Sequence, residues 1–125
     1  MYTIEVEDKF ASAHQLLGYE GKCENMHGHT WKVRISLAGE SLDDLGMLFD
    51  FKKAKELLKD ILSDFDHKNL NEISYFRKNN PTAENIARVI YELYGGKMKE
   101  TGGAGILLSQ VTVWESETTC ATYTL

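Results

Sequence analysis

The sequence has little of what marks several classes of protein. Its 125 residues include one proline and two cysteines, and no apolar run approaches the roughly 18 residues of a membrane-spanning helix. The first ten residues, MYTIEVEDKF, are too polar for a signal peptide. Two cysteines cannot form a disulfide framework in a chain of this length. We therefore expect a protein of the reducing cytoplasm with no membrane partner.

The chain also lacks the positive charge that nucleic-acid binding requires. Lys plus Arg total 14 against 19 Asp plus Glu, which gives a net charge of -5. Phosphate backbones are bound by basic faces, and the basic residues of this sequence do not cluster into one. Nucleic acid is therefore not expected as a partner. The length and the 42% apolar content predict a single domain, residues 1–125, with its own core.

Alternation of apolar and polar residues predicts strands near both ends of the chain. Residues 2–14 and 31–37 alternate with a period of two, and the loop between them is short enough for antiparallel pairing. A third strand is predicted over 107–115 and a short fourth strand over 119–125. The residues of the third strand predicted to face the core are Leu107, Val111 and Val113.

Between these strands the apolar period changes to that of a helix. One helix is predicted from Phe51 onward, and a second with Thr82 as its N-cap and Gly95-Gly96 as its end. The order ββααββ predicts an α+β fold, a four-stranded antiparallel sheet with both helices on one face. So small a sheet leaves open edges, and these favour pairing with other copies of the chain.

Residues 23–29, CENMHGH, are the most informative for chemistry. His27 and His29 stand two apart on a predicted strand, so both imidazoles can reach one ion. His14, at the end of the first strand, is placed to supply a third nitrogen. Three imidazoles and one open position describe a catalytic zinc site, although nickel, copper or iron(II) accept the same ligands. The alternative is a group of strand histidines that only form hydrogen bonds.

Three further groups could carry chemistry, and the second cysteine is expected to have a structural role. Cys23 could act as a thiolate base or nucleophile, or as a fourth zinc ligand that closes the site. Asp66 can orient His67 for acid–base work, although such a pair is also found as a helix-end cap or in a surface turn. Glu115 is predicted to lie on the same face of the third strand as the buried Val111 and Val113. A buried carboxylate must be paired, either with a ligand bearing adjacent N–H groups or with an internal Arg or Lys. Cys120 is predicted to be a small core residue.

Six motifs in this chain resemble those of the 6-pyruvoyl-tetrahydropterin and 6-carboxy-tetrahydropterin synthase family, which has the tunnelling fold. They occur in the family's order and run through essentially the whole chain. The motifs are FASAH (10–14), CENMHGH (23–29), GMLFDF (46–51), FDHKNLN (65–71), PTAEN (81–85) and WES (114–116) followed by Tyr123.

The resemblance implies a role for each candidate residue. The three histidines would bind zinc, and Cys23 would abstract a proton with the help of Asp66 and His67. Glu115 would anchor the 2-amino and N3–H edge of a pterin through two hydrogen bonds. Family members form trimers whose sheets close a barrel, and two trimers stack into a hexamer. The Asp-His pair then reaches the active site of a neighbouring subunit.

Within the family, the short spacing from Cys23 to the HGH triplet resembles the bacterial 6-carboxy-tetrahydropterin synthases. These lyases convert 7,8-dihydroneopterin triphosphate to 6-carboxytetrahydropterin, releasing acetaldehyde and triphosphate, on the route to queuosine. Glu24, however, occupies the position of a glutamate in a subgroup that makes 6-hydroxymethyl-dihydropterin for folate. That product and the 6-pyruvoyl product are alternatives. A different class of function, a zinc-stabilised pterin-binding module without turnover, would follow if Cys23 closes the metal site.

Overall fold

A four-stranded antiparallel sheet with two helices packed against one face forms the framework of the protein. The computed structural model describes residues 1–19, 25–101 and 103–125. The sheet has the strand order β1-β2-β3-β4, and the predicted ββααββ arrangement is confirmed. The elements are β1 (Tyr2–His14), β2 (His27–Gly39), α1 (Phe51–Ser63), α2 (Ala83–Glu100), β3 (Leu107–Trp114) and β4 (Cys120–Tyr123), with 3₁₀ helices at Leu70–Glu72 and Ser74–Phe76.

The pairing of β1 with β2 decides where the histidines lie. Their register is continuous over all residues of both strands, from Tyr2 opposite Gly39 to His14 opposite His27. Because no bulge interrupts it, every second residue of each strand faces the same side of the sheet. The period that buries Phe10 therefore also carries His14 to the helix-covered face, as the alternation predicts.

An aromatic core lies between the sheet and the helices. Phe10 and Trp31 are stacked with their ring centroids 6.0 Å apart, and Phe65 meets the Phe10 ring edge-on at 5.8 Å. The Tyr94 hydroxyl donates a hydrogen bond of 3.0 Å to the carbonyl oxygen of Ala54, which ties α2 to α1. Each large apolar side chain buried in this way contributes about 1.5–3 kcal/mol. The strand ends that carry the histidines are therefore supported by a well-packed core.

The helix limits follow from capping and burial. The Thr82 hydroxyl accepts a hydrogen bond from the N–H of Asn85, so the predicted N-cap of α2 is confirmed. The prediction that Gly95-Gly96 ends this helix is wrong, since α2 continues to Glu100. A glycine costs a helix only about 1 kcal/mol, and the burial of Met98 beyond the pair offsets that cost. None of the helices in the described ranges is long and apolar enough to cross a membrane.

A β-bulge changes the faces of β3. The register against β2 shifts between Ser36 and Leu37, which makes Ser109 an extra residue in the strand. An extra residue reverses the alternation on one side of it. Leu108 is consequently buried, whereas Leu107 is 60% exposed. The prediction that Leu107 faces the core is wrong for this reason.

The last strand is shorter than predicted and places its cysteine outside the core. β4 spans Cys120–Tyr123 rather than residues 119–125, and it lies at the edge of the sheet. Ala121 and Tyr123 pack against the core, so the alternate residue Cys120 points the other way and is exposed. The prediction of a core role for Cys120 is therefore wrong.

Candidate metal centre and active site

Three imidazoles meet at one end of the sheet. His14 ends β1, His27 begins β2 directly opposite, and His29 follows on the same face. The ring centroids are 4.7 Å apart for His14 and His27, 5.1 Å for His14 and His29, and 4.7 Å for His27 and His29. The strand register thus brings together the three histidines that the sequence singles out.

Two main-chain carbonyls fix the tautomers of two of these rings. The Nδ1 atom of His14 lies 2.8 Å from the carbonyl oxygen of Pro81, and Nδ1 of His27 lies 2.8 Å from that of Asn25. A carbonyl oxygen can only accept a hydrogen bond, so each Nδ1 must carry the proton. A neutral ring in this tautomer presents the lone pair of Nε2, the form in which histidine binds a metal.

The two Nε2 atoms point at each other. They are 3.1 Å apart, and His14 is almost fully buried with 2% of its surface exposed. Two nitrogen lone pairs at this distance repel unless a positive charge, a proton or a metal ion, lies between them. The hydrogen bonds to Pro81 and Asn25 therefore create a site that favours a cation.

Glu115 completes the group. Its Oε1 atom is 3.0 Å from Nε2 of His29 and 3.5 Å from Nε2 of His14. The ligand atoms of the three histidines and Glu115 all lie within 4.8 Å of one another. Three imidazoles and one carboxylate suit a divalent ion such as zinc. These residues therefore fit a metal.

The position of Glu115 agrees only partly with the sequence analysis. It comes directly after β3 and shares the face of the buried Val111 and Val113, as the alternation predicts. Its side chain is nevertheless 37% exposed, so the prediction of a buried carboxylate is wrong. The sheet ends here, and one side of the histidine group is consequently accessible from solvent.

Trp31 lies beneath the imidazoles and was not anticipated as part of the site. Its ring centroid is 4.9 Å from that of His14 and 5.3 Å from that of His29, and it meets both rings edge-on. Trp31 is fully buried, and its indole N–H lies 3.3 Å from the carbonyl oxygen of Ser12. It occupies the same face of β2 as His27 and His29, and this position in the alternation is a signal that could have identified it.

Two asparagines hold the chain that leaves β1. The side-chain amide of Asn71 accepts from the N–H of Gln15 and donates to its carbonyl, both at 2.9 Å. Asn80 makes the same pair of bonds with Leu17, also at 2.9 Å. Each amide hydrogen-bonds the main chain as a neighbouring strand would. No short-range sequence pattern predicts these contacts. Cys23 and Glu24, further along this connection, lie outside the described residues.

Asp66 and His67 lie along the edge of β1. Asp66 Oδ1 accepts a hydrogen bond of 2.9 Å from the N–H of Ala11, and the N–H of His67 donates to the carbonyl oxygen of Ala11 at 2.6 Å. The side chains pair through Nδ1 of His67 and Oδ2 of Asp66 at 2.9 Å. The imidazole is 82% exposed and stands outside the metal-binding group. The pair lies in the turn that follows α1, where the N–H of Asp66 donates to the carbonyl oxygen of Leu62 at 2.9 Å, so the alternative of a turn at the end of the helix is also met.

His67 has an uncommon backbone conformation, and Asp66 has a lowered pKa. His67 has φ of 54°, a left-handed conformation that is uncommon outside glycine and is found at functional sites. Hydrogen bonds from the main chain of Ala11 and then from His67 lower the pKa of Asp66 below its ordinary value. The ionised carboxylate holds the proton of the imidazole on Nδ1, so the exposed Nε2 is the atom that can exchange protons.

Fold and site together define a small α+β protein with a group of three histidines and a glutamate at one end of its sheet that could hold a metal ion. The family description "6-pyruvoyl tetrahydropterin synthase" matches residues 3–125, and the chain belongs to this family.

Individual relatives agree with this assignment. A 6-carboxy-5,6,7,8-tetrahydropterin synthase of Synechocystis sp. is 35% identical over 128 residues, covering 98% of this chain and 93% of the relative. The enzyme of the same name from Haemophilus influenzae is 30% identical over 145 residues, covering 98% and 99%. The structure of Caenorhabditis elegans 6-pyruvoyl tetrahydropterin synthase superposes with a TM-score of 0.85 at 29% identity, covering 98% of this chain and 94% of the other.

We expect the histidine group, and not His67, to bind a divalent metal. His14→Ala removes one of the facing nitrogens and should weaken zinc affinity by more than about 100-fold, because losing a ligand costs more than losing an outer hydrogen bond. Competition with a chromophoric chelator measures this affinity. His67→Ala is the matched control and should bind zinc like the wild type. Since His14 is buried, His29→Ala, at the more exposed ligand, is a second test. Undiminished affinity in both ligand variants would contradict the assignment.

We also expect Asp66 to make stability depend on pH. Its pKa is lowered in the folded protein, so the stabilisation is complete above the ordinary aspartate pKa of about 3.9 and is lost as the pH falls towards the folded value. Asp66→Asn should therefore be less stable than the wild type at neutral pH, and the difference should shrink below about pH 4. Urea unfolding of both proteins measures it. A difference that stays constant down to pH 3 would show that this carboxylate is not responsible.

Proposed function

We propose that this protein is a zinc-dependent 6-carboxy-5,6,7,8-tetrahydropterin synthase, which converts 7,8-dihydroneopterin triphosphate to 6-carboxytetrahydropterin, acetaldehyde and triphosphate. The observation that carries the proposal is the pair of facing Nε2 atoms in His14 and His27, 3.1 Å apart beside Glu115. Relatives with this name are 30% and 35% identical to nearly the whole chain. The short spacing between Cys23 and the HGH triplet also supports the carboxy-type reaction.

The residues divide into a group that would hold the metal and a group that would move protons. His14, His27 and His29 would hold the zinc ion through their Nε2 atoms. A bound zinc ion supplies a Lewis acid that stabilises negative charge developing on substrate oxygen atoms. The buried floor formed by Trp31 keeps two of the imidazoles in place on one side. The accessible side beside Glu115 then leaves room for a substrate.

Proton transfer is the task of the second group. Asp66 is ionised and orients His67, whose exposed Nε2 can take or release a proton. Cys23 would be the proton-abstracting base, a role that rests on its place in the CENMHGH motif. Glu115 would accept the 2-amino and N3–H groups of the pterin, since a carboxylate can bind two parallel N–H donors. Its exposed fraction of 37% makes it accessible to such a ligand.

We further propose that the active sites are shared between copies of the chain. His67 is 82% exposed and stands outside its own metal-binding group, so its imidazole is available to another subunit. β1 and β4 are the outer strands of the sheet. Residues 66–69 line the last part of β1, and the remaining strand edges favour pairing with a second chain. A homotrimer or a hexamer of two trimers would place the Asp66-His67 pair of one subunit beside the metal of its neighbour.

Identification of the products tests the reaction. Zinc-loaded protein is supplied with 7,8-dihydroneopterin triphosphate, and the small aldehyde and the pterin are identified by mass spectrometry. Acetaldehyde together with a 6-carboxy-pterin is the expected result. Glycolaldehyde with a 6-hydroxymethyl product would contradict it and point to Glu24. Triphosphate release without an aldehyde would indicate the 6-pyruvoyl reaction, and binding without turnover would indicate a pterin-binding module.

Mixing two inactive variants tests the shared site. His29→Ala damages the metal group and His67→Ala damages the proton-transfer pair, so each homo-oligomer should be inactive. When the two are dissociated and reassembled together at equal amounts, roughly one quarter of the sites combine an intact metal group with an intact pair, if assembly is random. Activity should return to about that fraction of the wild type.

The matched control combines two variants with the same defect. A mixture of His67→Ala and Asp66→Asn has no subunit with an intact pair and should stay inactive. Activity that fails to return in the first mixture, although hetero-oligomers form, would show that each chain builds its own complete site.

A further inference from the structure

Ser12 is a polar residue at a core position of β1. It stands on the helix-covered face between Phe10 and His14, and 6% of its surface is exposed. A buried hydroxyl is costly unless hydrogen bonds replace those that it loses to water. The hydroxyl of Ser12 both donates and accepts a hydrogen bond, and its two partners lie in the segment that follows α1.

These two hydrogen bonds enclose the Asp66-His67 pair. The Ser12 hydroxyl donates to the carbonyl oxygen of Phe65 and accepts from the N–H of Lys68 at 3.2 Å. Phe65 directly precedes the pair, and Lys68 directly follows it. One side chain of β1 therefore holds both ends of the segment that carries the carboxylate and the imidazole.

The backbone conformation of His67 needs such support. Its φ of 54° is uncommon for a residue with a side chain, so the surrounding structure must fix it. The imidazole is 82% exposed, and packing on this side chain therefore contributes little. Ala11 holds the pair through its main chain, and Ser12 holds the residues on either side through its hydroxyl. A substitution can remove that hydroxyl while the main chain of β1 stays intact.

The main chain of Ser12 has a separate task. Its carbonyl oxygen lies 3.3 Å from the indole nitrogen of Trp31, whose ring contacts His14 and His29. A substitution of the side chain leaves this carbonyl in place. The effect of the hydroxyl on the acid–base pair can therefore be separated from the support that the histidine group receives.

We propose that Ser12 is a positioning residue for proton transfer, because its hydroxyl sets the backbone from which the Asp66 and His67 side chains project. The inference rests on the proposed function for the catalytic role of this pair. Without the hydroxyl, residues 65–68 keep their contacts with the main chain of β1 but lose both bonds to the Ser12 side chain. The carboxylate and the imidazole then no longer meet in a fixed geometry, and the proton is no longer held on Nδ1 of His67.

The tautomer of His67 tests this role without turnover. Nitrogen NMR of the zinc-loaded protein distinguishes an imidazole protonated at Nδ1 from a mixture of tautomers, and His67→Ala identifies the signal. We expect the Nδ1–H form in the wild type and a mixture in Ser12→Ala. A mixture already present in the wild type, or an unchanged signal in Ser12→Ala, would overturn the proposal.

The matched control removes a hydroxyl from another buried serine. Ser36 on β2 is 2% exposed, and its hydroxyl donates to Oε1 of Glu5 at 3.1 Å, away from the pair. Ser36→Ala should therefore leave the His67 signal unchanged. A change of the signal as large as that in Ser12→Ala would contradict the specific role of Ser12.

Two variants of nearly equal volume separate the hydroxyl from packing. Ser12→Thr keeps the hydroxyl, Ser12→Val replaces it with a methyl group, and strands accept both β-branched side chains. We expect Ser12→Thr to keep the wild-type signal of His67 and Ser12→Val to lose it, whether or not Ser12→Ala folds. The same signal in both variants would overturn the proposal.

Kinetics with 7,8-dihydroneopterin triphosphate completes the test. Ser12→Ala should lower kcat by at least about 10-fold, because a small misplacement of a reacting group is costly, whereas KM and zinc affinity should stay at the wild-type values. A residue that only stabilises the fold would change the free energy of unfolding and leave the kcat of the folded protein unchanged. Wild-type kcat in Ser12→Ala would overturn only this inference, and a wild type without turnover would overturn only the proposed reaction.

Discussion

The 3.1 Å approach of the Nε2 atoms of His14 and His27 is the contact on which the site depends. Carbonyl oxygens of Pro81 and Asn25 hold the protons on the opposite nitrogens, so the Nε2 atoms of the two rings face each other at one end of the sheet. Such a contact is unfavourable without a cation and favourable with one. A metal ion bound between the two rings would relieve this repulsion, so we expect metal binding to stabilise the fold.

The positions of these two imidazole rings are set by the strand pairing and by the segment before α2. The continuous β1–β2 register sets His14 opposite His27, and the segment that precedes α2 brings Pro81 to the first ring. Asp66 has a double role at the neighbouring edge. It binds the main chain of Ala11 on β1, and it orients His67 towards solvent. The histidine group and the Asp66-His67 pair thus lie at separate places on one chain, which is the arrangement that the proposed sharing of the site between subunits requires.

The sequence predicts those features that depend on residues close together in the chain, such as strand faces and helix starts. A period of two places the three histidines and Glu115 on one face, and Thr82 marks the start of α2. Other features arise from contacts between distant parts of the chain. The Asn80 amide that binds Leu17 and the bulge at Ser109 leave no local signal, because each depends on a partner far away in sequence. Exposure of Cys120 likewise depends on β4 being an edge strand.

Anomalous X-ray diffraction at the zinc absorption edge, from crystals of the zinc-loaded protein, would locate the metal directly. We predict one anomalous peak per chain, about 2.0–2.1 Å from the Nε2 atoms of His14, His27 and His29. A peak elsewhere, or His14 and His27 still in direct Nε2–Nε2 contact with no metal between them, would contradict it.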